Sequence, residues 1–286
     1  EILRCLVGSE MCIRDRFKTR LISSIVLVVL ALVVILTGGY LLAAVLLFLS
    51  LTAYRELMKA CGLTEKGKPS GLEIIGYTGI VAYYLVMVFT KQEEEMLLLV
   101  LIMILIAFMF LYVLTFPKFH ADQIMSSFFN VVYAPVMLSC IYLVRTLPYG
   151  NYSVWMIFIS SWICDTCAYA VGIVIGKHKM VPKLSPKKSI EGAIGGVLGA
   201  AIVGGLYGYF VVEPVITEQN VTWVFVLISA AGAVISQIGD LAASAIKRNH
   251  DIKDYGKLIP GHGGIMDRFD SVIYVAPVIW ILLQIF

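Results

Sequence analysis

The stretch that decides the fold reads DLAASAIKRNHDIKDYGKLIPGHGGIMDRFDS and covers Asp240–Ser271. It separates two apolar runs, Thr222–Ile238 and Val272–Phe286, and it carries five basic side chains and five carboxylates. Charges clustered so close to a bilayer are energetically unfavourable, so their presence indicates a functional site. The rest of the chain is predicted to hold this segment at a membrane surface.

Composition places the chain among integral membrane proteins. Of its 286 residues, 60% are hydrophobic and only 14% are charged, whereas about a quarter of an average soluble chain is charged. The six cysteines show no spacing typical of a disulfide framework. Cys164 and Cys167 form a CxxC pair, but a zinc site would need a second pair of ligands, so packed thiols are the preferred interpretation.

The apolar runs predict an all-α, polytopic membrane protein with nine transmembrane helices. The predicted spans are Leu21–Thr37, Tyr40–Ala53, Ile74–Thr90, Met96–Phe116, Ile124–Leu147, Tyr152–Gly176, Gly192–Val212, Thr222–Ile238 and Val272–Phe286. With the N-terminus in the cytoplasm, 20 of the 22 Lys and Arg residues fall in cytoplasmic segments, and only Lys91 and Arg145 do not. Positive charge favours the cytoplasmic side, so Asp240–Ser271 is predicted to face the cytoplasm.

The chain divides into three parts. Residues 1–16 are too short and too charged to span a membrane and lack the pattern of a signal peptide, so we interpret them as a non-native leader. Residues 17–123 are predicted to form the N-terminal transmembrane helices, and residues 124–286 a second transmembrane domain that carries the candidate functional residues. Within the second part, Tyr54–Cys61 is predicted to be an amphipathic turn at the membrane interface.

Glycines recur at spacings of three and four in the predicted span Gly192–Val212. Small residues at this spacing let helices approach closely in a membrane, so a packing face is favoured over a ligand site. The glycines are Gly192, Gly195, Gly196, Gly199, Gly204, Gly205 and Gly208.

Four carboxylates are candidates for chemistry. Asp267 and Asp270 are three residues apart, which places them on one helix face, and Asp240 ends the preceding apolar run. All three are predicted metal ligands, because a divalent cation such as Mg²⁺ prefers oxygen donors. Asp165 lies inside an apolar span, so it is expected to face the interior with a partner, a metal or a proton; a hydrogen-bonded structural carboxylate is the alternative.

Two segments could bind phosphate. In the basic loop Lys183–Glu191, Ser185 is predicted to cap a helix that starts at Pro186, with Lys187, Lys188 and Ser189 beside a phosphate. The alternative is that the loop's charge only sets topology and attracts lipid headgroups. In Pro260–Gly264, the glycines allow close approach to a ligand, and His262 is a proton carrier, a phosphate contact or a structural residue.

The chain resembles the phosphatidate cytidylyltransferase family, also called CDP-diacylglycerol synthases, along about Phe17 to Phe286. The resemblance is carried by Ser244-x2-Lys247-Arg248-x4-Lys253-Asp254-x-Gly256-x3-Pro260-Gly261-His262-Gly263-Gly264-x2-Asp267-Arg268-x-Asp270-Ser271, by Asp165-Thr166-x-Ala168-Tyr169-x2-Gly172-x3-Gly176-Lys177, and by Ser185-Pro186-Lys187-Lys188-Ser189-x-Glu191-Gly192. It departs from the family pattern at Ser189, where threonine is usual, and at Cys167, where a small residue is usual.

The resemblance implies cytidylyl transfer from CTP to phosphatidate, with Mg²⁺ and a second, monovalent cation. It also implies membrane lipid as a partner, a homodimer and no nucleic acid. The residues expected to act on substrate or metal are Lys247, Arg248, Asp240, Asp267 and Asp270. The residues expected to bind substrate are Ser185, Lys187, Lys188, Ser189, Ser244, Lys253, His262, Gly263, Gly264 and Arg268, while Asp165 and Asp254 have no assigned role.

Two other functions share some of these parts. A transporter or channel also uses intramembrane carboxylates and glycine stripes, but it requires a water path through the midplane, and no internal repeat is evident. A CTP-dependent lipid or polyprenol kinase would transfer the γ-phosphoryl group; the full pattern from Lys247 to Ser271 favours cytidylyl transfer instead.

Overall fold

The computed structural model describes residues 28–64, 69–90, 93–216, 221–258 and 263–286, which contain nine helices and one β-hairpin. The helices are α1 (Val28–Thr37), α2 (Gly39–Ala60), α3 (Gly71–Phe89), α4 (Glu94–Thr115), α5 (Ala121–Thr146), α6 (Gly150–Ile175), α7 (Ile190–Val212), α8 (Val221–Asn249) and α9 (Met266–Ile285). The strands are β1 (Lys179–Val181) and β2 (Ser185–Ser189).

The prediction of an all-α polytopic membrane protein is confirmed. Eight helices, α2 to α9, are long and apolar enough to cross a membrane, and they overlap the last eight predicted spans. Helix α8 continues to Asn249, well beyond the predicted end at Ile238. The first predicted span, Leu21–Thr37, is described only from Val28 onward, and the leader 1–16 lies outside the described residues.

The helices pack in one continuous series. Within it, α6 contacts α7, α7 contacts α8, α8 contacts α9, and α9 contacts the C-terminal half of α5. Helix α3 packs against both α2 and α4. Helix α4 buries only Leu97, Ile104 and Phe108, so most of its apolar surface faces outward, as expected for a helix bordered by lipid.

Helices α5, α6 and α7 each contain one stretch of wider, π-helical turns. These stretches are Val132–Val136, Ile159–Ile163 and Gly208–Val212. In α5 the stretch includes Pro135, which has no N–H to donate to the regular helical ladder. Such π-turns are frequent at functional sites, and this one carries Tyr133 toward α9.

The prediction of an interfacial turn at Tyr54–Cys61 is wrong. Helix α2 continues unbroken through Ala60. Tyr54, Leu57 and Met58 are fully buried, and the Tyr54 ring packs edge-on against Tyr77 with ring centroids 5.5 Å apart. The polar residues in this segment therefore belong to the end of a packed helix and not to a helix lying on the membrane.

The prediction that a helix starts at Ser185-Pro186 is also wrong. Ser185–Ser189 is strand β2, paired antiparallel with β1 so that Val181 lies opposite Ser185. Helix α7 begins only at Ile190, where Ser189 is the N-cap and its hydroxyl accepts the Gly192 N–H at 3.2 Å. The residue before a proline favours extended backbone, and Ser185 is extended as part of β2. The helix is capped instead by Ser189, which ends the strand.

The glycine stripe of α7 is a packing face, as predicted. The first half of the stripe faces α6, where a Cβ added at Gly196 would lie 2.8 Å from the Cys164 carbonyl oxygen. The second half faces α8, where a Cβ added at Gly208 would lie 3.2 Å from the Thr222 Cα. Backbone approaches this close leave no room for a larger residue.

We therefore expect Gly196→Ala to destabilise the protein by about 1–3 kcal/mol, because the added methyl group meets backbone that cannot yield. Thermal unfolding in detergent measures the effect. Gly71→Ala is the matched control, since the added methyl group there meets only the flexible end of the Leu111 side chain at 3.2 Å. Equal unfolding temperatures for the two variants would contradict the packing role.

Candidate active site

Two interhelical connections lie at one end of the molecule. Lys188, just before α7, contacts Asp240 near the end of α8. Glu56, near the end of α2, contacts the backbone just before α9. Arg145 lies at the other end, where its guanidinium donates to the carbonyl oxygens of Ile35 and Leu36.

A lysine–aspartate ion pair lies at the centre of this end. The ammonium of Lys188 lies against the Asp240 carboxylate, and each side chain is about one-quarter to one-third exposed (26% and 30%). The hairpin that carries Lys188 is fixed by Glu191, which accepts the N–H groups of Lys177 and His178. The pair thus joins a residue expected to bind phosphate to a residue expected to bind metal.

Two further carboxylates, each from another helix, lie on the same side as this pair. Asp165 of α6 and Asp270 of α9 are both within electrostatic range of Asp240. Lys188 offsets the repulsion at Asp165, and Lys247 offsets it at Asp270. Asp165 is exposed, whereas it was expected to face the protein interior.

Asp267 forms a second ion pair and organises the loop before α9. Its carboxylate accepts from Lys247 Nζ at 3.0 Å, from the Tyr255 N–H at 2.8 Å and from the Gly264 N–H at 3.0 Å. Its side chain is only 4% exposed. Both oxygens of Asp267 are engaged within the protein, and so is the Gly264 amide that was expected to approach substrate.

Glu56 is a site residue that the sequence analysis missed. Its carboxylate is buried at 6% exposure and accepts the N–H of Ile265 at 3.1 Å and that of Met266 at 2.9 Å. A charged residue at the end of an apolar run is ordinary for a membrane helix, so no local pattern marked it.

Two buried tyrosines were also missed. Tyr255 fixes the loop to α8 by donating its hydroxyl to the Ala243 carbonyl oxygen at 2.9 Å, and burial raises the pKa of Tyr255. Tyr133 packs edge-on against Tyr274 with centroids 5.8 Å apart, near Asp270. Its buried hydroxyl has no hydrogen-bond partner within the described part of the chain. Tyr133 lies in an apolar run, where a tyrosine is typical of a core, and Tyr255 lies among the charged residues of Asp240–Ser271, so neither was singled out.

The other candidate site residues differ in how far their side chains are exposed. Gly263 has φ +85°, which favours glycine. The exposed residues are Lys187, Arg248, Lys253, Asp254 and Arg268, and the half-buried ones are Ser185, Ser244 and Gly263. Ser189 is buried as the α7 cap, and His262 lies outside the described residues.

The donor set fits a hard divalent cation. Within the described ranges, no three His, Cys, Asp or Glu side chains are arranged to hold a metal ion by themselves. Mg²⁺ does not need such a cage, since one or two carboxylates together with substrate phosphates and water usually hold it. The exposed carboxylate of Asp165 and the half-buried carboxylates of Asp240 and Asp270 supply only oxygen donors, which is the chemistry that Mg²⁺ prefers.

Comparison with known proteins agrees with this arrangement. The model of the Cytidylyltransferase family matches residues 18–286, which include every residue described above. The chain belongs to the cytidylyltransferase family. The family assignment therefore covers both the N-terminal helices and the polar end of α6 to α9.

Individual relatives of this cytidylyltransferase carry a more specific name. A phosphatidate cytidylyltransferase of Staphylococcus saprophyticus is 31% identical over 270 residues, which is 93% of this chain and 98% of the relative. Enzymes with the same name from Staphylococcus epidermidis and Staphylococcus haemolyticus are 31% and 32% identical over the same shares of both chains.

Proposed function

We propose that this protein transfers the cytidylyl group of CTP to phosphatidate, giving CDP-diacylglycerol and pyrophosphate. We place it in a bacterial cytoplasmic membrane with the active site facing the cytoplasm. Support comes from its family, from the names of its relatives and from the distribution of Lys and Arg. The observation that carries the proposal is the pairing of two lysines with two aspartates beside a carboxylate cluster at one end of the membrane helices.

The reaction needs charge neutralisation more than proton transfer. A phosphate oxygen of phosphatidate attacks the α-phosphorus of CTP, the bond to the β-phosphate breaks, and pyrophosphate leaves with its electron pair. The attacking phosphate monoester is already an oxyanion near neutral pH. Both substrates are anionic, so the enzyme must position them and stabilise the charge of the transition state.

The two ion pairs provide the cations for this task. Lys188 and Lys247 are held ready by Asp240 and Asp267, and on substrate binding the lysine ammonium groups turn to phosphate oxygens. Asp240 is then free to act as an oxygen ligand. Exposed cations at the rim, including Lys187 and Arg248, attract the triphosphate before it is bound.

We assign Asp240 and Asp270 as the carboxylates that hold Mg²⁺. Asp267, the third predicted metal ligand, is assigned instead to fixing the loop beside them, because both of its oxygens accept hydrogen bonds within the protein. Bound Mg²⁺ supplies positive charge against the phosphates and orients them. Ser185, Lys187, Ser189, Ser244, Lys253 and Arg268 remain predicted contacts to substrate. The second, monovalent cation and the homodimer also remain predictions, and the lipid tails are expected to lie between helices with the headgroup at the polar end.

The decisive experiment places isotope on different phosphates of CTP. We expect purified protein given Mg²⁺, phosphatidate and CTP labelled at the α-phosphate to produce labelled lipid, whereas CTP labelled at the γ-phosphate leaves the lipid unlabelled. Lipid labelled from the γ-position would identify a kinase instead. An α-label that stays entirely in nucleotide, or a γ-label released as pyrophosphate without a lipid product, would refute the proposal.

A further inference from the structure

We propose that Glu56 is a positioning residue of the active site. From the N-terminal helices, its carboxylate sets the start of α9 and thereby the place of Asp267. The inference rests on the proposed function, because it concerns how that reaction's residues are held. Glu56 does not contact substrate, and it acts through the backbone N–H groups of Ile265 and Met266.

The first observation is that α9 has no cap of its own. Its N-cap residue, Ile265, makes no side-chain capping hydrogen bond. The missing acceptor comes from another helix, since the Glu56 carboxylate receives the N–H groups of Ile265 and Met266 at 3.1 and 2.9 Å. A negative charge at a helix N-terminus is also favourable to the helix dipole. The contact links residues 209 and 210 positions apart in the chain.

The second observation is that two glycines make room for this carboxylate. A Cβ added at Gly264 would lie 2.5 Å from Glu56 Oε2, and a Cβ added at Gly256 would collide with the same carboxylate. The position of the Glu56 carboxylate therefore explains why residues 256 and 264 are glycines. From the sequence alone, Gly264 was expected to let a ligand approach the backbone closely.

The third observation connects Glu56 to the chemistry. Gly264 donates its N–H to Asp267, and the next two N–H groups go to Glu56. Asp267 follows Met266 directly, so the hydrogen bond from the Met266 N–H to Glu56 fixes where Asp267 meets Lys247. Two protein carboxylates accept the N–H groups of Gly264, Ile265 and Met266, so these groups are not available to a phosphate. Binding of phosphate is left to the lysines, and the position of Lys247 depends on Glu56 through Asp267.

The chain provides a matched control in Glu73. This glutamate is equally buried, at 6% exposure, and it also caps a helix. It caps its own helix α3, where it accepts the Ser70 N–H at 2.9 Å. A general requirement for a buried, capping glutamate would affect both residues alike, whereas positioning of the active site concerns only Glu56.

The test compares Glu56→Gln with Glu73→Gln in the full-length protein. We expect Glu56→Gln to lower kcat/KM for CTP by about 30-fold or more, since small displacements of reacting groups have effects of this size. Glu73→Gln should stay within about threefold of wild type. Thermal unfolding of both variants is measured alongside, and equal activity losses at equal unfolding temperatures would overturn the inference.

A rescue experiment tests the contact itself. Gly264→Ala places a methyl group against the Glu56 carboxylate, and Glu56→Asp withdraws that carboxylate by one methylene. We expect the double variant to be at least about tenfold more active than Gly264→Ala alone, because contacting residues are not additive. A double variant no better than the single variant would contradict the proposed contact.

Amide exchange separates this inference from the proposed function. If wild-type protein makes no labelled lipid, the proposed function fails, while the positioning role is still decided by hydrogen exchange at Ile265 and Met266. Exchange there should be faster in Glu56→Gln and unchanged in Glu73→Gln. Exchange that is the same in both variants would overturn the positioning role whatever the activity.

Discussion

Asp267→Asn is expected to lower turnover about 10³-fold or more, equivalent to a loss of about 4 kcal/mol of transition-state stabilisation. Asp267 accepts hydrogen bonds on both oxygens, from Lys247 on one and from the N–H groups of Tyr255 and Gly264 on the other. Asparagine retains one acceptor, and its amide NH₂ must face a donor. The variant also removes the negative charge that holds Lys247, so the lysine loses its ion pair and the loop loses a hydrogen bond that fixes its position.

Turnover of α-labelled CTP into lipid, measured at saturating substrate, checks this prediction. Asp251→Asn is the matched control, because Asp251 is exposed in the same connection and has φ +51°, which asparagine also adopts. The control should remain within about twofold of wild type. Near-normal turnover in Asp267→Asn, with a folded yield like that of the control, would remove Asp267 from the active site.

Neutralising the other ion pair is expected to be nearly as damaging. Lys188→Met and Asp240→Asn should each lower kcat/KM by about 10²- to 10³-fold. Each change removes a group assigned to substrate or cation and leaves a partly buried charge without its partner. Glu213→Gln, which removes a carboxylate at the opposite end of α7, should have little effect.

The double variant Lys188→Met/Asp240→Asn distinguishes chemistry from packing. A pair that only joins helices leaves no uncompensated charge when both members are neutral, so the double variant would regain activity. We expect no such recovery, because both groups act on the reactants. Activity near the wild-type level in the double variant would show that the pair is structural.

Much of the fold was predictable because apolar length and glycine spacing are local properties of the chain. The eight long helices follow directly from runs of about 20 apolar residues. The stripe around Gly196 is recognisable because small residues three and four apart share one helix face. The concentration of charge in Asp240–Ser271 likewise indicated the end of the molecule where the site lies.

The pairings within the site were not predictable, because they depend on which helix ends meet. Nothing near Lys188 identifies Asp240 as its partner, and both were assigned separate tasks. Glu56 was missed for the same reason, since its donors follow more than 200 residues later. The error at Ser185 is of another kind: two hydroxyls, Ser185 and Ser189, could each cap a helix, and only pairing with β1 favours the second.

The contact made by Glu56 also bears on the order in which the protein is built. Helices emerge from the ribosome beginning with the N-terminus, so α2 is made long before α9. Until Ile265 and Met266 arrive, the Glu56 carboxylate lacks the two donors that satisfy it in the finished fold. An unpaired carboxylate is unfavourable inside a folded protein, so the nascent chain gains this stabilisation only when α9 is in place. Assembly of the active site therefore waits until α9 has been made.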